Sequence, residues 1–225
     1  MNILITSGGT SEKIDQVRSI TNHSTGQLGK IISKRFLEAG FSVTLVTTPT
    51  AVQPKEHPHL RKIFIKDVAE LQTVLEKETP THQVLIHAMA VSDYSPVYMS
   101  GFQAVKEASN LEHFLHQTNQ ESKISSEEDY QVLFLKKNPK LISLVKTWNP
   151  DIRLIGFKLL VDVSSEELIQ VARESLVKNH ASMIVANDLT KIQNGQHQAY
   201  LVTDDQVLEA STKTEIAEAI LRYIK

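Results

Sequence analysis

No cysteine occurs among the 225 residues. Disulfides, thiolate nucleophiles and cysteine–zinc sites are excluded together, and a reducing, cytoplasmic setting is the expectation that accompanies their absence. Neither sign of charge dominates: 24 lysines and arginines face 26 aspartates and glutamates, without a basic block or an acidic tail. Nucleic acid and membrane surfaces therefore have no electrostatic footprint to bind, and neither is expected as a partner. No run approaches the roughly 20 apolar residues that a bilayer crossing needs. The first five residues lead directly into a strand, without the basic-then-apolar plan of a leader. Trp148 is the single tryptophan; with the four methionines it is scattered and reads as packing. The nine histidines offer no convincing metal spacing. The closest pair, His57 and His59 around Pro58, reads as a solvated loop.

What the chain does have is alternation, and enough length for a substantial core. Strands are predicted over residues 2–7, 41–47, 62–65, 83–88, 131–135, 153–159 and 182–186. Between them fall amphipathic helices over 26–39, 68–77, 140–146, 165–179 and 214–222. Gly40 is placed to end the first helix, Pro139 to start the third and Ser164 or Ser165 to cap the fourth. Residues 200–203 and 206–209 suit a hairpin over Asp204-Asp205. Strand–helix alternation from end to end predicts an α/β, Rossmann-like fold, a mostly parallel sheet flanked by helices. One domain over 1–225 is expected, since no repeat, low-complexity tract or linker divides the chain. The long, partly polar segment 94–126 between strong strands is read as an insert carrying a flap or an interface.

Several polar groups sit where open α/β sheets bind ligands, at the C-terminal ends of strands. Ser7-Gly8-Gly9-Thr10 follows the first strand. Its amides suit either a phosphate or a plain tight turn, and it matches neither the dinucleotide fingerprint nor the phosphate-loop lysine motif. Residues 12–29 are unusually polar for a crossover: Arg18 offers a planar fork for phosphate or carboxylate, Asn22 a donor and an acceptor, and Ser24-Thr25-Gly26 a helix start. A capped surface loop accounts for them equally well. Asp93, after the strand 83–88, suits a metal ion, a ribose hydroxyl or a turn cap. Lys123 is a lysine on a long loop, suited to closing over polyphosphate or simply to solvent. Asn187-Asp188 ends another buried strand.

In their order, these blocks resemble the phosphopantothenate–cysteine ligase family. The carriers are Thr6-Ser7-Gly8-Gly9-Thr10 with Asp15, Val17-Arg18 and Ile20; Asn22-His23-Ser24-Thr25-Gly26-Gln27-Leu28-Gly29; Ala90-Val91-Ser92-Asp93-Tyr94; Lys123-Ile124-Ser125-Ser126; and Gly156-Phe157-Lys158 with Ala186-Asn187-Asp188. The resemblance covers essentially the whole chain, and its asparagine–serine–glycine block is the most specific part. It implies joining of 4′-phosphopantothenate to L-cysteine through an acyl-nucleotide intermediate, with a nucleoside triphosphate as co-substrate, Mg²⁺ as the cation, and a homodimer.

By matching position, the resemblance makes Asn22, Lys123 and Arg18 catalytic, with Asn22 holding the intermediate and Lys123 on a flap. It makes Ser7, Gly8, Gly9, Ser24, Gly26, Ala90, Asp93, Lys123, Pro139, Lys140, Leu141, Ile142, Phe157 and Lys178 nucleotide contacts, and Asp93 a metal contact. There are departures. The flavin-dependent decarboxylase half of the fused bacterial proteins is not among these residues. The lysine block ends in Ser125-Ser126, Gly156-Phe157-Lys158-Leu159 replaces an alanine-rich version, and the insert after Tyr94 is long. The ATP-using eukaryotic branch has these features, and so do stand-alone bacterial ligases, which use CTP. The N-terminal segment and Asn187-Asp188 are closer to the bacterial type, so CTP is expected over ATP. Two rivals share the fold class. A nicotinamide-dependent reductase or epimerase would need the glycine fingerprint or a Tyr-x-x-x-Lys pair, which are missing. A non-catalytic nucleotide sensor would not need both Asn22 and Lys123.

Overall fold

A computed structural model describes residues 1–119, 122–125, 127–193 and 195–225. Its first strand, β1 (Asn2–Ser7), carries Ile3, Leu4 and Ile5, all without solvent exposure. A strand apolar on both faces belongs inside a sheet covered on both sides. β1 has parallel neighbours on each side: β4 (Ser42–Thr47) and β6 (Val84–His87). Outward from β4 lies β5 (Leu60–Phe64), also parallel. Outward from β6 come β9 (Arg153–Leu160) and β10 (Met183–Asp188), both parallel. The antiparallel pair β11 (Ala199–Val202) and β12 (Val207–Ala210) completes an eight-stranded sheet on that edge. The fold is Rossmann-like α/β, as expected. The chain builds outward from β1 in one direction, then returns to build in the other. The strand order therefore reverses between β1 and β6, which opens a crevice at their C-terminal ends.

Helices cover both faces. α1 (Gln27–Glu38) and α6 (Lys213–Ile224) pack Ile32, Phe36, Ile216 and Ile220 against Ile3, Ile5, Val185 and Leu201. α2 (Val68–Glu78), α4 (Leu141–Trp148) and α5 (Ser165–Lys178) bury Leu71, Leu75, Val145, Leu168 and Leu176 against Leu4, Leu85, Leu154 and Ile184. The predicted caps hold where side chains can serve: the Ser164 hydroxyl accepts from the Glu167 amide at 3.1 Å, and Gly40 takes a left-handed φ of 85° after α1.

Two parts depart from the sequence reading. Residues 10–25 are not an unstructured crossover: β2 (Ser11–Lys13) and β3 (Ser19–Thr21) pair as an antiparallel hairpin. Residues 94–116 of segment 94–126 are not loop either. β7 (Tyr94–Gly101) pairs antiparallel with β8 (Gln131–Lys137), so the 131–135 strand belongs to a separate ribbon and not to the main sheet. A short helix α3 (Phe102–Glu107) and a 3-10 turn at Leu111–His116 follow β7. The ribbon has its own aromatic nucleus, with Phe114 stacked on Phe134 at 5.2 Å and on Tyr98 at 6.0 Å.

Candidate active site

Past Ser7 the chain continues alongside the end of β6. The Ala90 amide donates to the Gly8 carbonyl at 2.9 Å, and the Thr10 amide to the Ala90 carbonyl at 3.0 Å. Two glycines are required here by close approach. A β-carbon on Gly9 would lie 2.6 Å from the Asn22 carbonyl oxygen, and one on Gly29 would lie 2.2 Å from Ser7 Oγ. Ser7 Oγ itself donates to the Gly26 carbonyl at 3.1 Å. Ser7, Gly8 and Gly9 thus lock the start of α1 onto β1, and they line neither of the clefts described next.

The first cleft, about 370 Å³, lies between the end of β6, the start of α4 and the end of α5. It brings together Asp93, Pro139, Lys140, Leu141, Ile142, Phe157 and Lys178, seven of the residues singled out from sequence. The geometry has local causes. Asn138 clamps the approach to α4: its amide nitrogen donates to the Ser92 carbonyl at 3.0 Å, and its carbonyl oxygen accepts from Ser95 Oγ at 2.9 Å. Gly156 lets α4 approach β9, since a β-carbon there would sit 2.8 Å from Ile142 Cδ1. α4 has no side-chain cap, and among its first amides that of Ser143 donates to the Lys140 carbonyl at 3.0 Å. The Asp93 carboxylate is ion-paired with the Lys140 ammonium at the rim.

The second cleft is larger, about 610 Å³, and adjoins the first along Met89, Val91, Phe157 and Lys158. Ser24, Gly26 and Ala90 line it, with the start of α1 at one end. Gly26 precedes α1 with a left-handed φ of 77° and no side-chain cap. Asn22, half-buried, stands beside this cleft: it precedes the lining residue His23, and its amide donates to the Thr10 carbonyl at 3.4 Å.

Arg18 is elsewhere, at the tip of the β2–β3 hairpin, and Lys123 is on the segment docked against that tip. Asp15, its side chain wholly buried, accepts from Arg18 Nε at 3.0 Å, from the Arg18 amide at 2.7 Å and from the Ile124 amide at 3.1 Å. Arg18 also donates to the Ile124 carbonyl at 2.9 Å. The Arg18 guanidinium, backed by the Val17, Arg18 and Ile124 amides, holds the Asp15 carboxyl well below the usual carboxylate range. Lys123 is exposed beside this knot, and Ser126 of its block lies outside the described residues. The three residues expected to be catalytic are therefore split: Asn22 adjoins the second cleft through His23 and lines neither cleft, Arg18 is on the hairpin tip, and Lys123 is on the segment bonded to that tip.

Lys158, His87, Asn187, His197 and Lys213 line the clefts as well, and of these only Lys158 and Asn187 fall in blocks marked in the sequence. Lys158 faces both clefts. His87 forms part of the first cleft; its Nδ1 is 2.8 Å from Thr6 Oγ1, and burial pushes the imidazole down to about 4. Asn187, His197 and Lys213 line the far end of the second cleft. Asn187-Asp188 at a strand end was a signal, and Asp188 proves to be scaffolding. Its carboxylate accepts from the Thr190, Asp162 and Val163 amides at 2.9–3.1 Å, which holds it down at about 2. Nothing local marked His197 or Lys213. Among the described residues no three histidine, aspartate or glutamate side chains gather as a metal cluster, and no helix is long and apolar enough to cross a membrane.

A crevice at a strand-order reversal, where open α/β sheets bind their ligands, is what this architecture provides, and comparison with known proteins narrows it. The family model for the DNA/pantothenate metabolism flavoprotein C-terminal domain matches residues 1–120 and 104–225, and the chain belongs to that family. The coenzyme A biosynthesis bifunctional protein CoaBC of Methanocaldococcus jannaschii is 32% identical over 226 residues, covering 99% of this chain and 50% of the relative. The chain thus spans about half the length of the curated relatives it matches. The crystal structure of the DNA/pantothenate metabolism flavoprotein from Streptococcus pneumoniae superposes with a TM-score of 0.96 at 55% identity, covering 100% of this chain and 98% of that one. A Cab2 variant in complex with phosphopantothenate-cysteine shares the fold, with a TM-score of 0.73 at 18% identity over 99% of this chain and 86% of that one.

Proposed function

We propose that this chain joins the carboxylate of 4′-phosphopantothenate to the amine of L-cysteine in coenzyme A biosynthesis, as a phosphopantothenate–cysteine ligase. One observation carries the reading: Asp93, Pro139–Ile142, Phe157 and Lys178 converge on one cleft that opens into a second lined by Ser24, Gly26 and Ala90. Phosphopantothenate, nucleotide and cysteine must meet at one carbonyl, and two adjoining clefts give them room to do so. Membership of the family and the likeness to CoaBC support the same reaction.

A free carboxylate is a poor acyl donor, so it is first activated. Its oxygen attacks the α-phosphorus of the nucleotide, an O–P bond forms, and the bond to the β-phosphate breaks, with pyrophosphate leaving on the electron pair. The cysteine nitrogen then attacks the activated carbonyl. The amide C–N bond forms, the C–O bond to the nucleotide breaks, the nitrogen loses a proton and the nucleoside monophosphate leaves. Positioning and charge neutralisation do most of this work. Lys140, Lys158 and Lys178 supply cations around the first cleft, and the positive end of the α4 dipole faces it. Asn22 holds the acyl-nucleotide beside Ala90 with its donor and acceptor. Arg18 on the hairpin and Lys123 on a flap from segment 94–126 act on the reacting groups when the two, bonded to each other through Asp15 and Ile124, approach the clefts.

Magnesium is held by one or two carboxylates plus phosphate oxygens, not by a protein cage. Asp93 at the rim suits that role, and the ion would neutralise phosphate charge there. CTP is the proposed nucleotide, with ATP as the competitor. A homodimer through segment 94–126 is supported by Phe102, Leu111 and Leu115, each about half exposed on that arm. The test is pyrophosphate release with CTP or ATP. Release must require phosphopantothenate and be faster with CTP; none with either nucleotide overturns the reading.

A further inference from the structure

His197 is a buried group with unspent hydrogen-bonding capacity. It is 6% exposed, and neither Nδ1 nor Nε2 has a hydrogen-bond partner among the described residues. Its backbone is fixed, the amide donating to the Ser211 carbonyl at 2.8 Å. Buried polar atoms are almost always paired, so an orphaned ring calls for a reason. Burial, with the Lys213 charge beside it, pushes the imidazole down to about 4, so at neutral pH it presents one N–H donor and one lone-pair acceptor. Beside it in the same cleft stand Lys213 and Asn187, the latter 7% exposed with a side-chain amide that bonds to no described residue. Leu28, Leu189 and Ile192 supply apolar walls.

This combination selects its ligand. A metal ion is disfavoured by the adjacent ammonium and the lack of a carboxylate. A bare anion would satisfy Lys213 but leave the imidazole's lone pair facing negative charge. Apolar walls ending in a neutral amide and a neutral imidazole suit an uncharged group with a donor and an acceptor side by side. Lys213 suits an anion attached to the same molecule.

We propose that Asn187, His197 and Lys213 form a specificity subsite at the far end of the second cleft. It reads an uncharged donor–acceptor group on an anionic substrate. The naming of that substrate rests on the ligase reading. Two sources share the chemistry: the base edge of the nucleotide and the hydroxy-amide arm of phosphopantothenate.

The test uses His197→Phe, which keeps a buried ring and removes both nitrogens, and His197→Gln, which keeps a donor and an acceptor. In steady-state ligation, H197F raises the KM of one substrate by about tenfold or more while kcat changes little. H197Q restores most of that loss. The thermal midpoint of H197F stays level or rises, because an unsatisfied buried group has been removed. A raised nucleotide KM identifies the base as the ligand, and a raised phosphopantothenate KM identifies the acid arm. Unchanged KM for both, or a lowered thermal midpoint without a KM change, overturns the proposal. Calorimetric titration of the wild type and H197F with CTP, ATP and phosphopantothenate separates this proposal from the ligase reading. Weaker binding of one of them to H197F sustains the subsite even if no ligation occurs. Equal binding to both proteins, or no binding to the wild type, overturns it.

Discussion

Gly156 and Ile142 stand so close that a β-carbon on the glycine would lie 2.8 Å from Ile142 Cδ1, with Ile184 Cδ1 at 2.9 Å on its other side. Gly156 lies on β9 and Ile142 in the first turn of α4, so this contact sets the width of the first cleft. In Gly156→Ala the added methyl must displace one isoleucine or the helix. Overpacking of this kind costs about 1–3 kcal/mol. The expected result is a lower thermal midpoint together with a several-fold rise in nucleotide KM. A stability loss with unchanged KM would show that α4 does not shape the nucleotide site.

Stability should fall in mild acid because of His87. It is buried against Thr6, which pushes its imidazole down to about 4 from an ordinary value near 6.5. The unfolded chain takes up a proton as pH drops through 6.5 while the folded chain does not. This histidine therefore costs nothing above about pH 7, and stability is lost progressively between pH 6.5 and 4, by up to about 3 kcal/mol. His197 adds to the fall in the same direction. Thermal midpoints at pH 7.5 and 5.0 should differ by less in His87→Gln than in the wild type. Parallel curves for the two proteins would contradict this.

Asp15 ties the β2–β3 hairpin to residues 122–124 through the Arg18 side chain and the Ile124 amide. Asp15→Asn removes the charge but keeps a carbonyl acceptor. The expectation is faster amide hydrogen exchange at Ile124 and easier proteolysis after Lys123, with little change in the exchange of β1. Protection at Ile124 equal to wild type would show that the ion pair does not hold this segment down.

The main sheet was legible because its strands are apolar on both faces and its helices keep a regular apolar stripe. Ile3–Ile5 and Val84–Ile86 are solid core, and no other element type suits such short runs between glycines and helices. The β2–β3 hairpin was not legible. Ser19, Ile20 and Thr21 are all exposed, so burial imposes no alternation on them, and the pairing is set by the Asp15 turn. β7 was hidden for a related reason: Pro96 interrupts it and Met99 is its single buried residue. The first cleft could be read from motifs because its residues come in short blocks. The His197 end of the second cleft could not, because topology alone brings β10, the approach to β11 and the start of α6 together.

The role proposed for Asn22 predicts that the two chemical steps separate in Asn22→Asp, which puts a carboxylate where the amide donor stands. The variant should still release pyrophosphate, in an amount close to the enzyme present, and then stall without forming amide. Full turnover in this variant would remove Asn22 from the second step.

Oxygen tracing tests the central claim most directly. Phosphopantothenate labelled with ¹⁸O in its carboxylate is incubated with cysteine, nucleotide and the protein, and the products are weighed by mass spectrometry. An acyl-nucleotide intermediate requires one labelled oxygen to leave on the phosphate of the nucleoside monophosphate. Label in inorganic phosphate, or no transfer of label to any phosphate while amide accumulates, would contradict the account.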